Sequence, residues 1–139
     1  MNSLNVLFVD DETDFLDTVL KRMKKRDVNV TGAESGEKAL ELLEREPVDV
    51  LVLDVRMPGM DGIQALREIK KNHPLVEVIM LTGHASMEVA IEGMELGAFD
   101  YLMKPVDIDE LLYKIQDAYK KKLIQLEKIR CMESTQPEE

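Results

Sequence analysis

The sequence predicts a doubly wound α/β domain in which five parallel strands alternate with five helices. Five short apolar runs recur along the chain, each is followed by a segment with helical spacing, and each run ends abruptly in polar or turn-forming residues. A run that is apolar at every position suits a strand buried on both faces. Strand–helix–strand order then requires right-handed crossovers, which place helices on both sides of a parallel sheet.

The first run, Leu4 to Val9, stops at Asp10, Asp11 and Glu12, as a buried strand does where it emerges at its C-terminal end. Phe15, Leu16, Val19, Leu20 and Met23 follow at helical spacing, with Lys and Arg on the other face. Val28 to Ala33 reads as the second strand. Ser35 caps a helix carrying Ala39, Leu40, Leu42 and Leu43, which Pro47 ends. Val48 to Asp54 is the third strand. After the turn-rich Met57-Pro58-Gly59-Met60-Asp61-Gly62, a helix holds Ile63, Leu66 and Ile69, and Val76 to Leu81 forms the fourth strand. A fourth helix runs from about Ser86 to Leu96 and is closed by Gly97. Phe99 to Met103 is a short fifth strand, and Asp107 caps a last helix with Leu111, Leu112, Ile115, Ala118 and Tyr119 on its apolar face.

Length and composition agree with one core. A chain of 139 residues with 45% hydrophobic and 33% charged residues has the balance of a globular domain. Its net charge of −10 argues against direct nucleic-acid binding, which needs clustered Lys and Arg on one face. The lone Cys131 forms no internal disulfide and suits a reducing, cytoplasmic setting. No stretch approaches the roughly 18–20 apolar residues needed to span a bilayer, so no membrane role is expected.

In open α/β sheets ligands bind outside the carboxyl ends of the strands. The residues there are chemically coherent: Asp10 and Asp11 after the first strand, Asp54 at the third, Thr82 at the fourth, and Lys104-Pro105 after the fifth. Three carboxylates brought together repel unless a proton or a cation intervenes. With oxygen ligands and neither His nor Cys among them, Mg²⁺ is the natural ion, and it binds carboxylates together with phosphate oxygens. Phosphoryl transfer needs a nucleophile and positive charge on the equatorial oxygens. Asp54 can be the first, while Lys104 and the metal supply the second and Thr82 donates a hydrogen bond.

Four blocks, Phe8-Val9-Asp10-Asp11-Glu12, Asp54-Val55-Arg56-Met57-Pro58-Gly59-Met60-Asp61-Gly62, Leu81-Thr82-Gly83 and Tyr101-Leu102-Met103-Lys104-Pro105, together resemble the receiver (CheY-like) domains of bacterial response regulators over about Leu4 to Tyr119. The resemblance implies a flavodoxin-like (βα)5 fold of strand order 2-1-3-4-5, an order known for a chemotaxis relative and not read from this chain's pattern. It implies that Asp54 accepts a phosphoryl group from a sensor histidine kinase. Asp11 and Asp54 would bind Mg²⁺ directly, Asp10 often through water, and the Arg56 backbone carbonyl as a further ligand. It implies a switch in which the Thr82 hydroxyl moves toward the phosphoryl group and the Tyr101 ring turns inward. That motion would alter the face of helix four, strand five and helix five for a downstream protein or output domain. A cis Lys104-Pro105 bond also follows from it. Arg56 and His84, each two residues beyond a site residue, are placed to tune dephosphorylation. The domain would act as a switch that assists its own phosphorylation and dephosphorylation, and not as a turnover enzyme.

Each motif alone has a plainer reading: Asp10, Asp11 and Glu12 as a negatively charged helix start, Asp61-Gly62 as a turn, Lys104 as a solvated lysine. Their convergence carries the functional reading. Met57, Met60, Met80, Met94 and Met103 are packing residues, His73 a helix-end residue and Cys131 inert. Three other functions compete. A Mg²⁺-dependent aspartyl phosphatase would need a general acid where Arg56 stands, and a flavin or nucleotide module would need a Gly-rich cradle where Asp10 and Asp11 stand. A phosphate-independent scaffold would make no use of the site residues.

Residues 1–120 are expected to form the receiver and residues 121–139 a helical extension with a polar tail from Ser134. Leu112, Ile115, Tyr119, Lys122, Leu126 and Ile129 sit at heptad spacing interrupted by Lys122, so pairing of two chains through this helix, or through the face of helix four, strand five and helix five, competes with a solvated helix. The Gly97-Ala98-Phe99-Asp100-Tyr101 block resembles receivers that precede AAA+ activator domains.

Overall fold

The computed structural model describes residues 4–55, 61–83 and 86–134. The elements run β1 (Asn5–Val9), α1 (Thr13–Lys25), β2 (Asn29–Ala33), α2 (Gly36–Arg45), β3 (Val50–Asp54), α3 (Gly62–Asn72), β4 (Glu77–Thr82), α4 (Met87–Glu95), β5 (Asp100–Met103) and α5 (Ile108–Ser134). The sheet is parallel throughout, in the order β2-β1-β3-β4-β5. This is the doubly wound fold that the sequence pattern predicts, in the strand order that the family resemblance implied.

The solid apolar runs are explained by two cores, one on each face. Side chains alternate along a strand. Val6, Phe8, Val50, Val52, Ile79 and Leu81 therefore pack with Leu16, Val19 and Met23 of α1 and Leu111 and Ile115 of α5. Their neighbours Leu7, Val9, Leu51, Leu53, Val78 and Met80 pack with α2, α3 and the loop before β5 on the opposite face. The central strand β3 is buried at all five positions.

Helix ends follow their capping residues. The side chains of Ser35, Asp61 and Ser86 each accept a backbone N–H three residues on, from Lys38, Gln64 and Val89. Gly97, at φ 106°, terminates α4 in the left-handed region. The second strand starts at Asn29, one residue later than its apolar run suggests, because the Val28 N–H still bonds to the Met23 carbonyl in the turn that leaves α1. Thr82 joins β4 by pairing with Met103. Helix α5 continues through position 120 without a break.

No helix among the described residues is long and apolar enough to cross a membrane.

Candidate functional site

Strand register assembles the site. Val9 pairs with Leu53, so the next residues, Asp10 and Asp54, emerge side by side at the tips of β1 and β3. Asp54 pairs with Leu81 and Thr82 with Met103, which brings Thr82 and then Lys104 to the same edge. The Lys104 N–H donates to the Thr82 carbonyl at 2.7 Å, and the Lys104-Pro105 bond is cis, as the resemblance implied.

The Lys104 ammonium lies 2.8 Å from Asp10 Oδ2, 3.3 Å from Glu12 Oε1 and 3.9 Å from Asp54 Oδ2. Both aspartates are buried, Asp10 completely and Asp54 to 5% exposure, and Thr82 is buried beside them. The ammonium also sits 4.4 Å from the centre of the Phe15 ring, a cation–π arrangement. Burial by itself would push the Lys104 pKa down. The hydrogen bond to Asp10, the charges of Asp10 and Asp54 and the contact with Glu12 together outweigh burial and hold it above the ordinary lysine value.

Glu12 enters this site although the sequence reading gave it no role. Its N–H donates to Asp10 Oδ1 at 2.9 Å, a turn that directs the Glu12 carboxylate back over Lys104. Among the described residues, oxygens of Asp10, Glu12 and Asp54 all lie within 4.8 Å of one another. Asp11 is half-buried at the strand tip and is not one of this trio. The signal for Glu12 was its place two residues after Asp10, the spacing at which an aspartate side chain accepts a backbone N–H and closes a turn. An all-oxygen trio of this span suits a hard divalent cation held together with water.

Tyr101 is half-buried in β5, opposite Met80 and next to the strand that carries Thr82, and it packs against the second core. Arg56 and His84, named for dephosphorylation tuning, and the Arg56 carbonyl as a metal ligand lie outside the described residues. So does the tail beyond Ser134.

A parallel doubly wound sheet with buried carboxylates on two central strand tips and a lysine reaching in from the edge strand defines a class of signalling domain. The chain belongs to that class's family, the response regulator receiver domain, whose model matches residues 6–116. Such domains are switches of two-component systems and not turnover enzymes. The chain is 39% identical over 113 residues to the DNA-binding transcriptional regulator NtrC of Escherichia coli (strain K12), covering 81% of this chain and 24% of that protein. The kinship with receivers of transcriptional activators is thereby borne out, and the chain spans about a quarter of the length of the curated relatives it matches.

Among solved structures, a CheY-like response regulator receiver domain protein from Methanospirillum hungatei JF-1 superposes with a TM-score of 0.84 at 30% identity, covering 88% of this chain and 98% of that one. A response regulator from Burkholderia pseudomallei, described with a phosphorylated aspartic acid, calcium ion and citrate, superposes with a TM-score of 0.78 at 25% identity, covering 91% and 73%.

Proposed function

We propose that Asp54 is the phosphoacceptor and that a sensor histidine kinase is the donor. The observation that carries this reading is the buried Asp54 carboxylate at the tip of β3, held 3.9 Å from an ammonium anchored on Asp10. One Asp54 oxygen attacks phosphorus; the new O–P bond forms as the N–P bond of the phosphohistidine breaks, and the imidazole leaves. Lys104 balances charge on the phosphoryl oxygens, and the Thr82 hydroxyl donates a hydrogen bond to one of them. Glu12 holds the ammonium from the solvent side.

Asp10, Asp11, Asp54 and the Arg56 carbonyl would hold Mg²⁺, with Glu12 close enough to join through water. When bound, Mg²⁺ supplies positive charge to the attacking carboxylate and the phosphoryl oxygens. The Burkholderia relative, described with a phosphorylated aspartic acid and a calcium ion, supports this assignment.

Modification of Asp54 biases Thr82 and Tyr101, and through them the face of α4, β5 and α5 that a downstream protein or output domain reads. Arg56 and His84 tune the return to the unmodified state. Residues 1–120 act as the receiver and residues 121–139 as the extension, in the cytoplasm, with neither nucleic acid nor membrane as the chain's own target. Exposed Met87, Ile91, Met94 and Met103 on α4 and β5, and Leu123, Ile124, Leu126 and Met132 late in α5, support pairing of two chains through one of these faces.

Intact-mass analysis after incubation with acetyl phosphate tests the reading. One phosphoryl group should add to the parent in Mg²⁺, and none to Asp54→Asn or to the parent in EDTA. Equal phosphorylation of Asp54→Asn would overturn it.

A further inference from the structure

The edge of the sheet opposite the candidate site carries two acidic residues that contact α5. Asp49 directly precedes β3, and Glu77 opens β4; these are the two strands whose other ends carry Asp54 and Thr82. Lys122 Nζ lies 2.7 Å from Asp49 Oδ1, with both side chains largely buried at 14% and 16% exposure, and it reaches the Val48 carbonyl at 3.4 Å. The other Asp49 oxygen accepts the Asn5 N–H at 2.8 Å, which ties β1 into the same knot. Lys121 Nζ lies 3.3 Å from Glu77 Oε1 and 5.9 Å from the centre of the Phe99 ring. That buried Glu77 oxygen has no hydrogen-bond partner among the described residues, so it is compensated by charge, from the half-exposed Lys121 and from Lys70.

Helix length explains the meeting. From Ile108, near the candidate site, to Lys122 an α-helix rises about 21 Å. The six residues of β4 span about 17 Å, so the helix reaches the far edge of the sheet just where the two lysines stand. Past Lys122, every residue through Glu133 except Ile129 is exposed. Lys122, which interrupts the heptad pattern, is therefore turned onto its own sheet.

We infer that Lys121 and Lys122 form a clasp that docks α5 on the N-terminal ends of β3 and β4 and sets the direction in which residues 123–134 leave the domain. An isolated surface ion pair contributes little to such a task. Here the Lys121–Glu77 and Lys122–Asp49 contacts are both lost if the helix lifts away, which leaves the buried Glu77 with only the charge of Lys70 and Asp49 with only the Asn5 N–H, and a helix held at two adjacent lysines cannot pivot about one. The clasp lies at the opposite edge from Asp54 and stands whether or not Asp54 accepts a phosphoryl group.

The full chain provides its own probe, because Cys131 is exposed and is the sole cysteine. A nitroxide on Cys131 and a second on Glu37→Cys, at the exposed start of α2, report the exit direction by pulsed electron–electron distance measurement, with excess unlabelled chain suppressing distances between molecules. The parent should give one narrow distribution. Lys121→Gln/Lys122→Gln and, from the sheet side, Asp49→Asn should each roughly double its width. The exchanged pair Lys122→Asp/Asp49→Lys should narrow it again, with folding checked by cooperative urea unfolding. Glu77→Gln, nearly isosteric, replaces any variant that does not fold. A width unchanged in the folded variants on both sides of the contact, or a distribution already broad in the parent, would overturn the clasp.

Discussion

Replacing Lys104 with methionine removes the ammonium facing Asp10, Glu12 and Asp54 and leaves an unbranched apolar stem over the Phe15 ring. At an effective dielectric of about 20, an ion pair at the 2.8 Å separation of Lys104 and Asp10 has a gross attraction of about 6 kcal/mol, most of it offset by desolvation. Removing one partner of a buried pair costs about 3–5 kcal/mol, since the remaining charge is left buried alone. Glu12 is 66% exposed and adds little, and water can enter from its side, so the lower end applies. Lys104→Met should lose about 3 kcal/mol, near 10 °C in Tm for a domain of this size. Urea unfolding in EDTA measures the loss. Repeating it in Mg²⁺ should close the gap by at least about 1 kcal/mol, as a divalent cation takes over compensation of the carboxylates. A variant as stable as the parent in EDTA would refute the electrostatic account of the pocket, and a gap indifferent to Mg²⁺ would refute the metal assignment.

Two further outcomes follow from neighbouring geometry. A Cβ on buried Gly62 would meet the Asp54 and Val55 backbone carbonyls at 2.7 and 2.8 Å. Gly62→Ala should therefore cost about 2 kcal/mol, the middle of the overpacking range, and slow phosphorylation by displacing the tip of β3; wild-type values for both would contradict the packing. Because the Lys104 pKa is raised in the folded state, the native chain holds that proton more tightly than the unfolded chain does. Its contribution is complete below the ordinary lysine value of 10.5 and is lost as pH rises through the higher folded value. The stability difference between the parent and Lys104→Met, taken from urea midpoints, should shrink across that alkaline window; a difference constant with pH would contradict it.

The legible parts of this molecule are those written in local pattern. Two-faced burial makes β1, β3 and β4 apolar at nearly every position, and Ser35, Ser86 and Gly97 mark helix ends with side chains or torsions that only a few residue types supply. Asp10, Asp54, Thr82 and Lys104 were legible because strand tips are where such sheets place chemistry. Contacts made across the chain were not. Glu12 reaches the site through a turn closed by Asp10, and Phe15 joins it by lying under a lysine far away in sequence. Lys122 looks like a flaw in a heptad until Asp49, 73 residues away, is seen beside it. Strand order likewise follows from pairing among distant segments, and no single run encodes it.

Locating the acyl phosphate itself tests the central claim most directly. After phosphorylation in Mg²⁺, borohydride reduction converts a phosphorylated aspartate to homoserine, which peptide mass spectrometry assigns to one position. Homoserine should appear at Asp54 alone and vanish when Mg²⁺ is chelated. Its appearance at Asp10, Asp11 or Asp61, with Asp54 unmodified, would contradict a pocket organised around the tip of β3.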